Sequence, residues 1–246
     1  MRQQLLDIGF KLLQKFERLI IKYSPHGNAT FIDNSEFPWT AELENHWMDI
    51  RKELDEVLKY RDNIPNFQDI SEDQKVITTD NKWKTFFLYG YGFQSDQNVK
   101  MCPETAALLQ KIPGMKTAMF SMLDGGKHIP PHRGPYKGVL RYHMGLIVPE
   151  PDKCKIRVGS DYAHWYEGKG MIFDDTHNHE VWNDSEKQRV VLFVDFIRPL
   201  PFPLSALNKF LIYLISISPF VQDGKKNQSK WDAKLEEAVN KMAPAS

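Results

Sequence analysis

The sequence predicts a mainly β protein with flanking helices, of the antiparallel sandwich or jelly-roll type. The first observation is a change in hydrophobic period. Apolar residues recur every three or four positions near the N-terminus and every second position from Lys116 onward. The second observation is the spacing of the strand-like segments, which follow one another at intervals of about ten residues, with glycine and polar turns between them. Short strands at this spacing are typical of two-layered antiparallel folds.

Helices are predicted ahead of the strands, over residues 2–22 and 40–60 and, as a short helix, over 102–112. Residues 24–40 and 61–81 are predicted to be loops. The first helix carries lysines and arginines opposite its apolar stripe, and this leaves two interpretations open. It either covers one face of a sheet or lies on an anionic membrane surface. Its stripe consists of Leu5, Ile8, Leu12, Phe16 and Leu19.

The strand signals lie between residues 82 and 196. The segment 201–221 is strongly apolar but too short to span a bilayer, so a buried helix and a monotopic membrane element both stay open. A surface helix is predicted over 231–242. We therefore predict a single domain, 1–246, with an N-terminal helical part (1–114), a jelly-roll core (115–200) and a helical tail (201–246). The predicted strands are 82–91, 117–123, 138–148, 155–158, 169–173, 179–183 and 188–196.

Composition excludes several classes of protein. The 32 Lys and Arg balance the 32 Asp and Glu, which removes the basic footprint of a nucleic-acid binder. Hydrophobic residues make up 41% of the chain, too many for a disordered protein. Cys102 and Cys154 are too few for a disulfide scaffold, which favours a reducing, cytoplasmic compartment. The N-terminus lacks the uninterrupted apolar run of a secretory signal, so none is predicted.

Histidines are concentrated in the predicted β region, where six of the eight lie between residues 128 and 179. His132 lies in a segment stiffened by prolines, and such rigidity suits a metal ligand whose geometry must be held closely. His177 and His179 would share one strand face, so spacing alone does not say which of them binds a metal. Asp174 and Asp175 stay open as ligands, as carboxylates that orient an imidazole, or as turn residues.

Two arginines are further candidates. Arg141 and His143 share one face of a strand, where they would suit an anionic ligand; a solvent-facing polar face is the alternative. Arg189 opens a strand that is apolar on both faces, so we expect it to be buried and to need an anionic partner. That partner is Asp195, another side chain, or a ligand carboxylate, which a guanidinium can hold by two hydrogen bonds.

Taken together, these residues resemble the aspartyl/asparaginyl β-hydroxylase family of iron(II)- and 2-oxoglutarate-dependent dioxygenases. The resemblance is strong over residues 115–200 and weaker over 30–115. It implies a distorted double-stranded β-helix, a cupin-like jelly roll, that uses Fe(II), 2-oxoglutarate and O2. The matching residues are Ser121, His132-Arg133-Gly134-Pro135, the segment 140–146, Cys154-Lys155-Ile156-Arg157, the segment Phe173–Trp182 with its His179-Glu180-Val181-Trp182 ending, and Arg189.

The resemblance also implies roles for single residues. His132 and His179 would bind the iron as catalytic ligands, and Arg189 with Ser121 would bind the distal carboxylate of 2-oxoglutarate. Related enzymes commonly have a carboxylate ligand at the position where Gly134 stands here. The peptide-hydroxylase branch of the family shares this glycine, so its presence does not argue for inactivity.

For three further residues the resemblance leaves the exact role open. Arg141 and His143 would lie beside the metal-chelating end of 2-oxoglutarate or a substrate acid group, and Arg141 is counted as catalytic. Whether a third protein ligand such as His177 joins the metal stays open.

The predicted function is hydroxylation of an unactivated C–H bond, with the β-carbon of an aspartyl or asparaginyl residue in a peptide or protein placed first. Gly134 and the ending of the 173–182 segment favour that branch. The alternative is 2-hydroxylation of a lipid A fatty-acyl chain, with residues 2–22 and 201–221 contacting the membrane. A non-catalytic cupin-like module that binds a metal or carboxylate, and a membrane-peripheral scaffold, are two competing hypotheses. No nucleic-acid partner is predicted, and the predicted location is cytoplasmic, with membrane association left open.

Overall fold

The computed structural model describes residues 15–242, arranged as two antiparallel β-sheets with helices around them. Every pairing between the strands is antiparallel. The predicted fold class, a mainly β jelly roll with flanking helices, is confirmed by this arrangement. The strands are β1 (Phe31–Ile32), β2 (Trp83–Gly90), β3 (Phe93–Gln94), β4 (Met115–Leu123), β5 (Lys127–His132), β6 (Val139–Ile147), β7 (Cys154–Val158), β8 (Asp161–His164), β9 (Gly170–Phe173), β10 (His179–Asn183) and β11 (Arg189–Ile197).

The larger sheet has the order β1-β9-β6-β11-β4-β2-β3, and the smaller has the order β5-β10-β7-β8. β11 is central in the larger sheet, as the apolar residues on both of its faces predict. Three strands of this sheet, β1 to β3, precede residue 115. The jelly roll therefore extends back beyond the predicted core of residues 115–200, and the division of the chain into parts stays a prediction.

The helices lie outside the sheets. Residues 15–23 are helical and form the described part of α1, while residues 2–14 of the predicted first helix lie outside the described residues. The tail differs from its prediction, because the 231–242 helix is only the end of a longer helix that begins at Pro219. The others are α2 (Trp39–Asn45), α3 (Trp47–Leu58), α4 (Phe67–Ile70), α5 (Asp96–Met101), α6 (Pro103–Gln110), α7 (Leu204–Ser216) and α8 (Pro219–Met242).

Strand alternation divides the interior into two layers. On β6, Leu140, Tyr142, Met144 and Leu146 pack toward α3 in the cluster between the larger sheet and the helices. The intervening Arg141 and His143 instead face the space between the two sheets. Apolar side chains from both sheets fill most of that space and leave its polar part to the site described below.

α7 and α8 are joined with a bend of 54°. Among residues 15–242, no single helix is long and apolar enough to cross a bilayer, whereas α7 and α8 taken together meet the length and composition criteria.

Candidate metal and carboxylate site

Two histidines from separate strands meet between the sheets. His132 is the last residue of β5 and His179 the first of β10, and the two are direct cross-strand partners. Their ring centroids are 4.1 Å apart. The sequence prediction placed His132 in a loop, whereas the structure places it at the end of a paired strand. Pairing, rather than proline stiffening alone, fixes its position.

Backbone carbonyls orient both rings. His132 Nδ1 donates to the carbonyl of Pro130 at 2.8 Å, and His179 Nδ1 donates to the carbonyl of His177 at 3.0 Å. With Nδ1 carrying the proton, Nε2 of each neutral ring keeps its lone pair. A hydrogen bond at the distal ring nitrogen is the usual way in which a protein fixes the tautomer of a metal-binding histidine.

Burial keeps both imidazoles neutral. It lowers the pKa of His132, and it is the largest cause that brings the pKa of His179 to about 3, with His132 and Arg141 adding to the effect. Neutral imidazole is the form that binds metal ions. At neutral pH the pair is therefore in the protonation state that a cation requires.

The missing carboxylate at Gly134 has a structural reason. A Cβ atom on Gly134 would lie 2.2 Å from Oδ2 of Asp175, so this carboxylate fills the space that a side chain at 134 would need. The Gly134 amide also donates to the Asp175 carbonyl at 2.8 Å. Asp175 is held by Arg141, whose Nη2 is 2.9 Å from Oδ2, while Oδ1 has no hydrogen-bond partner among the described residues.

The described part of the chain brings no third protein ligand to the two histidines. No group of three His, Cys, Asp or Glu side chains in residues 15–242 is arranged to hold a metal ion. His177 does not line the cavity that contains His132 and His179, so of the two candidates in its segment His179 alone faces the site.

A cavity of about 120 Å³ between the sheets contains the remaining predicted site residues. It brings together residues from both sheets that lie far apart in the sequence. Of the predicted set, its walls include Ser121, His132, Arg141, His143, His179 and Arg189.

Arg189 is buried without an anionic partner. Its Nε and Nη1 have no hydrogen-bond partner among the described residues, and its guanidinium carbon stacks 4.4 Å from the ring centroid of Trp165. Asp195, the carboxylate considered as its partner, instead accepts from Arg141 Nε at 2.8 Å. Burial lowers the pKa of Arg189 to about 10, so it stays charged at neutral pH. A buried cation without a partner fits a ligand that brings its own carboxylate.

Ser121 lies on β4 opposite Val191, near Arg189 on the neighbouring strand. Its hydroxyl oxygen accepts from Trp83 Nε1 at 3.0 Å, which leaves the hydroxyl proton for another acceptor. Trp83 and Trp165 are site residues that sequence reasoning missed. The aromatic strand that Trp83 opens was a signal for β2, but nothing local placed either ring beside Arg189.

Arg141 and His143 share the cavity face, so the solvent-facing alternative for them is wrong. His143 is packed against Phe193 and Phe173, with ring centroids 4.9 and 5.0 Å away, and neither of its ring nitrogens has a partner among the described residues. Burial and the nearby charge of Arg141 hold its pKa well below the usual value. Arg141 differs, because Asp195 and Asp175 already accept from its guanidinium.

These residues fit an iron(II) ion with a bound diacid. Two neutral imidazoles leave several coordination positions open, and oxygen donors of a 2-oxo acid and of water suit the same metal. Arg189 and His143 are buried polar groups whose unmet hydrogen bonds face the same cavity. The cavity therefore offers a candidate cation site and a candidate carboxylate site within one volume.

The family model and the similar proteins of known name agree on one family. The family model described as aspartyl/asparaginyl beta-hydroxylase matches residues 44–199. The ornithine lipid ester-linked acyl 2-hydroxylase of Rhizobium tropici is 53% identical over 220 residues, covering 89% of this chain and 78% of that protein. The aspartyl/asparaginyl beta-hydroxylase of Homo sapiens is 35% identical over 162 residues, covering 64% of this chain but only 21% of that protein.

Among solved structures, the Cupin_2 domain of an XRE-family transcriptional regulator from Enterobacter cloacae aligns with 48% of this chain and 100% of its own. The identity is 11% and the TM-score is 0.34. A likeness this weak adds nothing to the fold described above.

Proposed function

Because the chain belongs to the aspartyl/asparaginyl β-hydroxylase family, we propose that it is an iron(II)- and 2-oxoglutarate-dependent hydroxylase of an ester-linked acyl chain on a membrane lipid. The R. tropici relative named for 2-hydroxylation of such a chain is 53% identical over 89% of this chain. The human relative named for aspartyl/asparaginyl hydroxylation is 35% identical over 64%. This favours the lipid alternative over the peptide substrate that the sequence analysis placed first, and an ornithine lipid over lipid A.

An exposed apolar face supports a lipid substrate. α7 buries only Asn208 and Ile212, and its outer side, with the bend to α8, exposes six large apolar residues by 42–58% of their surface. α1 packs beside it in the same cluster and exposes further apolar side chains. Apolar patches of this kind mark protein or membrane contacts. We call Leu207, Phe210, Tyr213, Leu214, Ile217 and Phe220 the apolar face.

Each site residue then has a role in the proposed reaction. His132 and His179 hold the iron, and Arg189 with Ser121 neutralises and orients the distal carboxylate of 2-oxoglutarate. We assign His143, whose buried ring nitrogens lack partners among the described residues and which lines the same cavity, to the cosubstrate's other end. Arg141 was predicted to be catalytic. Since Asp195 and Asp175 already accept from its Nε and Nη2, we assign it the positioning of Asp175 beside Gly134.

The reaction balances with O2 as the oxidant. When bound, iron(II) supplies the O2 chemistry, in which 2-oxoglutarate is converted to succinate and CO2 with one oxygen atom, and the second atom enters the substrate C–H bond as a hydroxyl. The buried cavity excludes bulk water from these steps. The two sheets thus keep the reacting groups together and apart from solvent.

Turnover of 2-oxoglutarate to succinate tests the proposal, with purified protein, Fe(II) and vesicles that contain an ornithine lipid. We expect mass spectrometry to find one added oxygen atom on the ester-linked chain. His179→Ala should lower turnover more than about 100-fold, because it removes one of two iron ligands. Arg189→Met should raise the KM for 2-oxoglutarate about 100-fold, because it removes two charge-assisted hydrogen bonds.

His128→Ala is the matched control, since this exposed histidine lies on the same strand as His132 but outside the cavity. It should keep wild-type activity. Iron binding without 2-oxoglutarate or O2 consumption would support the non-catalytic module instead. Hydroxylation of an aspartyl peptide but not of the lipid would favour the peptide substrate over the lipid.

A further inference from the structure

A second cavity, of about 200 Å³, adjoins the metal and carboxylate site, and its walls are mostly hydrocarbon. Aromatic and aliphatic side chains come from β2, β4, α4 and the ends of α7 and α8. They include Phe67, Ile70, Phe87, Met119, Ile215 and Val221.

The inner end of this cavity adjoins the cavity of the histidine pair. Phe67, Pro135, Arg141, Asp175 and Phe193 line both this cavity and the cavity of His132 and His179. The charged groups at this end are the three buried partners Arg141, Asp175 and Asp195, which neutralise one another in part. Beyond them the walls carry no ion pair.

The outer end lies at the bend between α7 and α8. Ile215, Phe220, Val221 and Gly224 form the wall there, opposite Ile70. Phe220 belongs at the same time to the apolar face, where it is 49% exposed. The cavity therefore runs from the apolar face toward the inner site. Its lining is mostly apolar, with Ser71, Gln74 and Thr117 as polar members beside the charged groups of the inner end.

An acyl chain fits these walls better than a peptide does. Methylene groups gain from burial against hydrocarbon, whereas each peptide unit brings an N–H and a C=O that need partners. The chemistry of the walls thus selects a hydrocarbon chain, and the continuity with the apolar face indicates that the chain comes from a bilayer.

We propose that this cavity is the acyl channel of the enzyme. The inference rests on the proposed function, because it assumes an ester-linked acyl substrate. Carbon 2 of the chain lies at the inner end beside His132 and His179, and the methylenes beyond it occupy the channel toward the α7–α8 bend. The ester and the headgroup lie toward exposed Pro135, which lines both cavities. The channel thereby sets which chain lengths are hydroxylated.

Filling the outer end of the channel tests this. Gly224 lies on α8, and a Cβ atom there would meet only the Ile70 carbonyl, at 3.8 Å, so a larger side chain has room to enter the outer end. Gly224→Phe should lower kcat/KM at least about tenfold for an octadecanoyl ester-linked chain, since loss of a few buried methylenes has this size. For an octanoyl chain kcat/KM should fall less than for the octadecanoyl chain, because the shorter chain extends less far toward residue 224.

A second variant and a control keep the test independent of folding. Ser71→Phe narrows the opposite wall and should give the same change in chain-length preference. Ser229→Phe adds the same ring to an exposed position of α8 outside the channel and should leave the preference unchanged. Thermal melting should match wild type in all three variants, and substrate-independent succinate formation should match wild type in Ser229→Phe. Metal-free Gly224→Phe should also bind parinaric acid, a fluorescent fatty acid, at least about tenfold more weakly than wild type.

The outcomes separate the channel from the proposed function. If wild type hydroxylates both lipids and the folded Gly224→Phe and Ser71→Phe variants keep the wild-type preference, the channel is wrong and the function stands. If wild type hydroxylates neither lipid, both are overturned.

Discussion

At the scale of single residues, the site depends on which side chains are left without partners. Arg141 binds both Asp175 and Asp195, and this leaves Arg189 as a buried cation with unmet hydrogen bonds. Asp175 in turn excludes any side chain at Gly134. In the proposed metal site, the restriction to two histidines would therefore be a consequence of packing, since the space for a third ligand from position 134 is already filled.

The variant Gly134→Asp tests this packing. We expect it to lose iron binding. Its free energy of unfolding should fall by about 1–3 kcal/mol, because the new Cβ would overlap the Asp175 carboxylate. Iron content and urea denaturation measure the two effects. The double variant Gly134→Asp/Asp175→Gly should recover part of the stability, since it restores the space. A Gly134→Asp variant that keeps full stability and binds iron through its new carboxylate, as a third ligand, would contradict the packing argument.

At the scale of elements, a buried ion cluster joins three strand ends. Asp174 follows β9, Lys137 precedes β6 and Arg198 follows β11, and all three are buried. Lys137 Nζ lies 2.6 Å from Asp174 Oδ2, and Arg198 donates to the same oxygen. Asp174 directly precedes Asp175 in the chain, so the cluster fixes the loop that carries this site residue.

Asp174→Asn should cost about 3–5 kcal/mol of unfolding free energy at neutral pH, because it leaves two buried cations without their anion. Burial alone would raise the pKa of Asp174, but Arg198 and Lys137 outweigh it and hold the pKa below its usual value. The stabilisation by Asp174 is therefore complete above the ordinary aspartate pKa and is lost as the pH falls through the lowered folded value.

Urea denaturation at a series of pH values measures the difference between wild type and Asp174→Asn. This difference in unfolding free energy should be constant near neutral pH and should shrink only in acid. Asp184→Asn, at an exposed carboxylate, should change stability by less than about 1 kcal/mol. A difference that grows toward acid would contradict the assignment.

At the scale of the whole molecule, the sandwich encloses the polar site while the helices on its outside carry the apolar face. α1 and α7 pack together through Phe16, Ile20 and Ile212, so their outer surfaces form one side of the molecule. Lys15, Arg18 and Lys22 add positive charge near this side. The arrangement suits contact with an anionic lipid surface through one side only.

Vesicle binding tests this orientation. The double variant Phe210→Glu/Tyr213→Glu should bind anionic vesicles at least about tenfold more weakly in co-sedimentation, because it replaces two apolar anchors by charges. Tyr162→Glu is the control, since Tyr162 is 61% exposed on the smaller sheet, away from the apolar face. Equal loss in both would indicate a charge effect alone, and the orientation would be wrong.

Part of the fold and of the site could be predicted from local pattern. The alternation of residues 139–147 placed Arg141 and His143 on one face, and the apolar strand 189–197 predicted a buried arginine. β1 and β3, of two residues each, were missed. β5 and β8 were missed as well, since their segments contain prolines or a turn and show no clean alternation. The segment 201–221 was predicted to be either a buried helix or a monotopic membrane element. It is not a fully buried helix, because α7 is covered on one side only, and the membrane element stays a prediction.

Residue types and the strand period, and with them the fold class, follow from the order of amino acids alone, because they depend on neighbours a few positions apart. Which of these residues act together depends on how the chain packs. The register of β5 against β10 selected His179 over His177 as the partner of His132. The pairing of Arg141 with Asp195 left Arg189 free for a ligand, and the bend between α7 and α8 opened an apolar cavity toward the site. These facts depend on contacts between residues remote in the chain, which no local pattern specifies.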